Sequence, residues 1–175
     1  MGTLKKDYLL SGIKVIDAAS FIAGPSAATI MSDYGAEVIK IEPQNGDSLR
    51  NLITNGRMPE GTENYCWELT SRNKKSVSLN LKDQKAHNIL IDLIKEADVF
   101  ITNMPFPIRK KLRITSGDIR PHNAKLIYAS LTGYGEVGPD ADRTAYDSVA
   151  WWARSGLMDF VRPSDNSPVA WSTPG

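Results

Sequence analysis

The stretch DAASFIAGPSAATIMSDYGAEVIKIEP, residues 17–43, decides the fold. A short apolar run at residues 13–16 leads into it. Bounded by Gly12 and Asp17, that run reads as a buried parallel strand. Ala23-Gly24-Pro25-Ser26 then turns the chain, and Pro25 fits the first turn of a helix, where its missing N–H costs nothing. The spacing predicts a helix over residues 25–34 that packs Ala28, Ile30 and Met31 and stops at Gly35. A second apolar run, residues 38–41, ends at Pro43. Strand, turn, helix, strand is how a nucleotide-type α/β unit opens. The turn carries neither GxGxxG nor GxxxxGK(S/T), so neither a dinucleotide nor a phosphate–magnesium pair is indicated.

The same alternation continues down the chain. Residues 77–79, 98–102 and 125–131 read as further strands. Asp83 caps a helix bearing Ala86, Ile89, Leu90, Leu93 and Ile94 at helical spacing. Short helices are predicted over residues 108–112 and 117–120, and a last one over residues 147–157. Between residues 44 and 72 the pattern is lost, broken by Gly46, Gly56, Pro59 and Gly61, and a span this long is more often functional or interfacial than idle. The apolar runs are continuous, not alternating. The fold class is therefore α/β, a mostly parallel sheet with helices on both faces.

Composition excludes several functions. Lys plus Arg is 21 and Asp plus Glu is 20, a net charge of +1, which argues for neither nucleic acid nor an acidic membrane as partner. The single cysteine, Cys66, excludes an intrachain disulfide and a multi-cysteine metal site. No apolar run is long enough to span a membrane, the N-terminus lacks a signal-type apolar region, and position 6 is Lys6 where a myristoylation signal wants Ser or Thr. A soluble, cytoplasmic protein is the expectation. The sequence closes on DNSPVAWSTPG, a loop with an aromatic, and this reads as part of a longer polypeptide.

In parallel sheets, ligands bind outside the carboxyl ends of strands. That rule picks out the loops at residues 18–26, 43–47, 71–75, 103–107 and 132–147. The first delivers a turn to a helix N-terminus, which favours an anion, although Gly24-Pro25 is equally what a plain helix start looks like. Arg72, Lys74 and Lys75 suit phosphates or, equally, a solvated turn. The second basic run, Arg109, Lys110, Lys111 and Arg113, reads as a helix face. Residues 133–138, Gly-rich, suit either a mobile lid or a tight crossover. His87, on a polar helix face, and His122, in a turn, read as surface residues with no metal partner nearby.

Taken together, four blocks resemble one family. AGPSAATIMSDYGAEVIKIEPQNGDSLR (residues 23–50), RNKKSVSLNLK (72–82), ADVFITNMPF (97–106) and LIYASLTGYGEVGPDADRTAYDSVAWWARSGLM (126–158) are similar, in order, to segments of the family III coenzyme A transferases. That family spans formyl-CoA, carnitine-type and 2-hydroxyacyl-CoA transferases and the 2-methylacyl-CoA racemases. The resemblance implies a Rossmann-like large domain, of which residues 1–175 are the N-terminal, CoA-binding part, the small domain lying outside this chain. It implies an interlocked homodimer, with coenzyme A or acyl-CoA as substrate beside a carboxylic acid and no tightly bound cofactor. It places Ile22 and Ala23 in the CoA pocket and Pro43 beside the nucleotide. Arg72, Asn73, Lys74 and Lys75 fall at the adenine and phosphate end, Asn103 and Met104 match a pair that often reads Asn-Phe, and Lys111 stands where some members hold a phosphate-contacting Arg. Tyr146-Asp147 matches the start of the helix near the thioester. The catalytic aspartate of the family follows the segment matching SPVAWSTPG, so it is expected just beyond Gly175, and no residue of this chain is assigned its role. Racemases carry a histidine where this chain has Tyr146. A phenol with an ordinary pKa near 10 is a poor base beside a thioester, which favours transfer over racemisation.

Overall fold

The computed structural model describes residues 8–52, 61, 63–162 and 164. Five parallel strands form one sheet: β1 (Lys14–Asp17), β2 (Glu37–Glu42), β3 (Lys74–Ser78), β4 (Val99–Thr102) and β5 (Ile127–Ser130), in the order β3-β2-β1-β4-β5. Register is set by the apolar rows, with Val15 opposite Val38 and Val99, and Ile16 opposite Ile39 and Phe100. Successive side chains point to opposite faces, so each strand feeds two cores. One contains Val15, Val38, Val99 and Ile101 with Ala28 of α1 (Ala23–Asp33). The other contains Ile16, Ile41 and Phe100 with Leu90, Ile91 and Ile94 of α3 (Gln84–Lys95). Phe100 also stacks on Tyr128 at 5.6 Å between ring centroids. Side chains this fully buried contribute roughly 1.5–3 kcal/mol each. The expected α/β sheet with helices on both faces is thus observed.

Local chemistry explains the helix ends. Asp83 caps α3 by accepting from the Lys85 and Ala86 amides. Gly35 ends α1 at φ 97, a conformation costly for any residue with a Cβ. Thr115 and Asp118 form a reciprocal capping box at α5 (Ser116–Ile119).

Several expectations are corrected. The irregular span after β2 contains a helix, α2 (Tyr65–Ser71), capped by Asn64 accepting from the Trp67 amide. The third strand starts at Lys74, earlier than its apolar residues suggest, because an edge strand tolerates polar side chains. The predicted helix over residues 147–157 is instead a π-helical segment (Asp147–Ala153) followed by α6 (Leu157–Phe160), interrupted where Gly156 turns left-handed at φ 82. His87 is buried at 7 %, with its Nε2 bonded to the Arg113 carbonyl at 3.1 Å. Arg109, on α4 (Phe106–Leu112), is fully buried and not part of a solvated face.

The chain divides into two compact units, residues 1–104 with 108–131, and residues 105–107 with 132–175. The sheet belongs to the first. In the second, Asp140 pairs with Arg143 at 3.0 Å and with Arg154, whose guanidinium lies 4.9 Å from the Tyr134 ring centre. Of the adjacent tryptophans in the π-helical segment, Trp152 is buried and Trp151 exposed. Among the described residues no helix is long and apolar enough to cross a membrane, and no cluster of metal-ligating side chains occurs.

Candidate functional site

The strand order reverses between β1 and β4. From β1 the chain passes to α1 on one face. From β4 it passes to α4, whose Leu112 packs on the other. The crevice outside the carboxyl ends of these two strands is where a doubly wound sheet binds its ligand. Here it is walled by residues 18–23 after β1 and by Asn103 and Met104 after β4.

The turn after β1 is held on several sides. The Asn103 side chain pairs with the Ser20 backbone in both directions, accepting from its N–H at 2.8 Å and donating to its carbonyl at 2.8 Å. Asp17 accepts from the Ala19 amide at 3.1 Å, and the Lys40 ammonium donates to the Ala19 carbonyl at 2.9 Å. Asp47 accepts from the Phe21 amide at 3.4 Å. Phe21 itself sits at φ 61, a left-handed conformation that costs of order 1 kcal/mol or more and persists only where the surroundings fix it. The turn then enters α1, whose first amides have no partner within the helix. Ile22, at 58 % exposed, is presented at this corner beside exposed Ala23.

Beneath the turn lies a buried charge network. Asp17, Lys40, Glu42 and Lys74 all project from the α1 face of β1, β2 and β3, and Asp47 joins them from the segment after β2. Lys40 lies 3.1 Å from Asp47 and 3.8 Å from Asp17. Lys74 uses its three N–H donors on Asp17 at 2.8 Å and on the carbonyls of Pro25 and Thr70 at 2.7 and 2.8 Å. Burial pushes the Lys74 ammonium below the ordinary lysine range, with Asp17 opposing. Glu42 takes a two-pronged bond from Arg50 at 2.7 Å on each oxygen, plus bonds from Ser76 and the Asp47 amide. Burial alone would raise the Glu42 carboxyl, but these bonds outweigh it and hold it at about 2. Arg50 in turn stacks 3.6 Å from the Trp67 ring centre.

The residues expected at the site do not all converge. Asn103 is bonded to Ser20 of the turn that carries Ile22 and Ala23, Met104 follows it with its side chain against the α3-side core, and exposed Pro43 follows the neighbouring carboxyl end of β2. Residues 71–75 lead into β3 and form its first two positions, at the amino end of the strand and not its carboxyl end. There Arg72 and Asn73 both bond Asp33 at the end of α1, at 2.6 and 2.8 Å, and Lys75 bonds Glu37 at the start of β2 at 2.6 Å. The Arg72 bond holds the Asp33 carboxyl below its ordinary value. These three lie toward the amino edge of the sheet, and the Lys74 ammonium is enclosed. Lys111 is exposed on α4. Arg109 donates to the Met104 carbonyl at 2.5 Å and to the Ser130 hydroxyl at 2.6 Å, tying the ends of β4 and β5. Tyr146 and Asp147 are exposed, in the second unit. A cavity of about 320 Å³ lies elsewhere, at the amino edge by Lys14, Glu37 and Glu96, and serves no chemistry at the crevice.

Lys40, Glu42 and Asp47 are functional candidates that the motif reading missed. The signal was present: Lys40 and Glu42 follow Val38 at a spacing of two in a strand covered on both faces, so they face the same core.

Fold and crevice together define a doubly wound α/β protein whose switch point lacks a dinucleotide fingerprint. Residues 10–174 match the model of CoA-transferase family III, and the chain belongs to that family. It is 40% identical over 162 residues to (R)-2-hydroxy-4-methylpentanoate CoA-transferase of Clostridioides difficile, covering 92% of this chain and 41% of that protein. It is 41% identical to cinnamoyl-CoA:phenyllactate CoA-transferase of Clostridium sporogenes, covering 91% of this chain and 39% of that protein. Among solved structures, the hypothetical protein Rv3272 of Mycobacterium tuberculosis superimposes with a TM-score of 0.84 at 30% identity, over 96% of this chain and 45% of that one. The chain thus spans about 40% of the length of the curated relatives it matches.

Proposed function

We propose that the protein is an acyl-CoA:carboxylate CoA-transferase and that this chain supplies its coenzyme A-binding sheet. The observation that carries this is the rigid turn at residues 18–23, set against Asn103 at the switch point of a family III chain. The acceptor class is a 2-hydroxy acid. Two relatives near 40% identity carry the names of transferases acting on such acids, 2-hydroxy-4-methylpentanoate and phenyllactate. Ile22, Ala23, Asn103 and Met104 line the coenzyme A pocket, with Pro43 beside the nucleotide and Lys111 toward its phosphates. Arg72, Asn73 and Lys75, bonded to Asp33 and Glu37 at the amino edge, are left out of the pocket.

The chemistry follows from the family resemblance. An aspartate in the part of the relatives' length that this chain does not span attacks the thioester carbonyl. The C–S bond breaks, coenzyme A leaves as thiolate, and a mixed anhydride forms. The thiolate then attacks the enzyme's own acyl carbon, releases the donor acid and leaves an aspartyl-CoA thioester. The acceptor carboxylate repeats both steps in reverse. Each exchange joins groups of similar carbonyl reactivity, which is why a carboxylate suffices as relay. The assembly is an interlocked homodimer in the cytoplasm.

The test is an exchange assay on the full-length protein. An acyl-CoA is mixed with a free 2-hydroxy acid and new acyl-CoA is followed by mass. Transfer with no exchange of the alpha proton in deuterated water is the expected result. Alpha-proton exchange in the absence of an acid acceptor would make the protein a racemase and overturn the proposal.

A further inference from the structure

We propose that Lys40 and Asp47 are positioning residues for the transfer reaction: together they lock the turn at residues 19–21 in the shape that receives coenzyme A. This rests on the reading that the switch point binds that ligand.

Two observations carry the inference. First, the turn's backbone is engaged by side chains that have no need to be charged for packing. Lys40 is 1 % exposed and Asp47 4 %. Burying an ion pair is rarely a net gain over apolar residues of equal volume, so stability alone does not explain it. Second, each group does two things at once. The Lys40 ammonium bonds the Ala19 carbonyl at 2.9 Å and faces Asp47 at 3.1 Å. Asp47 places its other oxygen on the amides of Leu49 at 2.9 Å and Phe21 at 3.4 Å. The pair thereby joins the segment after β2 to the turn after β1, across the left-handed Phe21. Four other charged groups face it: Asp17 from β1, Lys74 from β3, Glu42 from β2 and Arg50 from the segment after β2. Lys74 is tied to Asp17 and Glu42 to Arg50, which leaves Asp47 as the near carboxylate for Lys40.

A locked turn contacts the handle of the thioester, which does not change during the reaction. Losing the lock therefore weakens binding of ground state and transition state alike, raising KM without lowering kcat.

The experiment compares the full-length protein with Lys40→Met, Asp47→Asn and, as a control matched for lost stability, Leu90→Ala in the α3-side core. Asp47→Asn keeps an acceptor for the Leu49 and Phe21 amides and replaces the carboxylate oxygen facing Lys40 with an uncharged NH2, so the bond to the ammonium is lost. Expected is a KM for acyl-CoA raised at least roughly tenfold in both variants of the pair, with kcat nearly unchanged and KM for the acid unmoved. Leu90→Ala should lower Tm without moving either KM. Should the pair variants match Leu90→Ala in both constants, the proposal is overturned. Amide exchange on the wild type serves where a variant does not fold. The Ser20 and Phe21 amides should be strongly protected without ligand, and exchange as fast as an open loop would also overturn the lock. Failure of the wild type to bind coenzyme A in a titration overturns the function itself, while the exchange result still reports whether the turn is held.

Discussion

Glu42→Gln keeps the size of the side chain and removes its charge. Glu42 is 3 % exposed and is bonded by Arg50, Ser76 and the Asp47 amide. Its carboxyl is held at about 2 against an ordinary 4.5. A carboxyl lowered by folding contributes stability that is fully present above its unfolded value and is lost as pH falls through its folded value. The window is therefore pH 4.5 down to about 2. Converted at about 1.4 kcal/mol per pH unit, the gap caps the contribution at about 3 kcal/mol, of which about 2 kcal/mol has gone by pH 3. Urea unfolding of both proteins, followed by tryptophan fluorescence at pH 7 and pH 3, reads this directly. Trp67 reports on the same cluster, since Arg50 stacks on it. The variant should be less stable by up to about 3 kcal/mol at pH 7, with the difference shrinking by about 2 kcal/mol at pH 3. A difference that does not change with pH would refute the reasoning, because the ionised carboxylate would then not be what the cluster holds.

Three further outcomes are expected. In Gly24→Ala the new Cβ would fall 2.3 Å from the Ala19 Cβ, so the turn must shift; coenzyme A binding measured by calorimetry should weaken roughly tenfold or more, and unchanged affinity would count against the turn as a wall of the site. Arg109→Lys should cost roughly 3 kcal/mol in denaturant unfolding, since a lysine cannot reproduce the guanidinium bonds to Met104 and Ser130 from a fully buried position; a loss below about 1 kcal/mol would show those bonds to be dispensable. Gly133→Ala places a Cβ 1.9 Å from that of Ala145, and about 1–3 kcal/mol of destabilisation, read as a lower Tm, is the expected result; an unchanged Tm would mean the segment shifts freely.

The stretch that opens the sequence was legible because its rules are local. An apolar run bounded by Gly12 and Asp17, a proline in a first helical turn and a glycine at φ 97 each have one dominant reading. The strands at residues 38–41 and 98–102 were legible for the same reason. The third strand was placed late because Lys74, Lys75 and Ser76 carry no apolar signal, and their pairing with β2 is set by neighbours distant in sequence. The helix Tyr65–Ser71 was hidden behind the glycines that precede it. His87 was assigned to a solvated face because the segment that covers it, ending at Arg113, comes 26 residues later. At the site, the carboxyl-end rule picked out the loops at residues 18–26 and 103–107, and the family resemblance singled out Ile22, Ala23 and Asn103 within them. That the Asn103 amide is spent on Ser20, and that Lys40 and Asp47 reach the same turn, are contacts between strands that only the tertiary fold reveals.

Amide exchange of the full-length protein with and without saturating coenzyme A bears most directly on where the ligand lies. New protection should appear at residues 22–24, whose amides begin α1, and at Asn103 and Met104, around the carboxyl ends of β1 and β4. Binding accompanied by protection only at the amino edge, around Lys14, Glu37 and Glu96, would contradict the assignment of the switch point as the site.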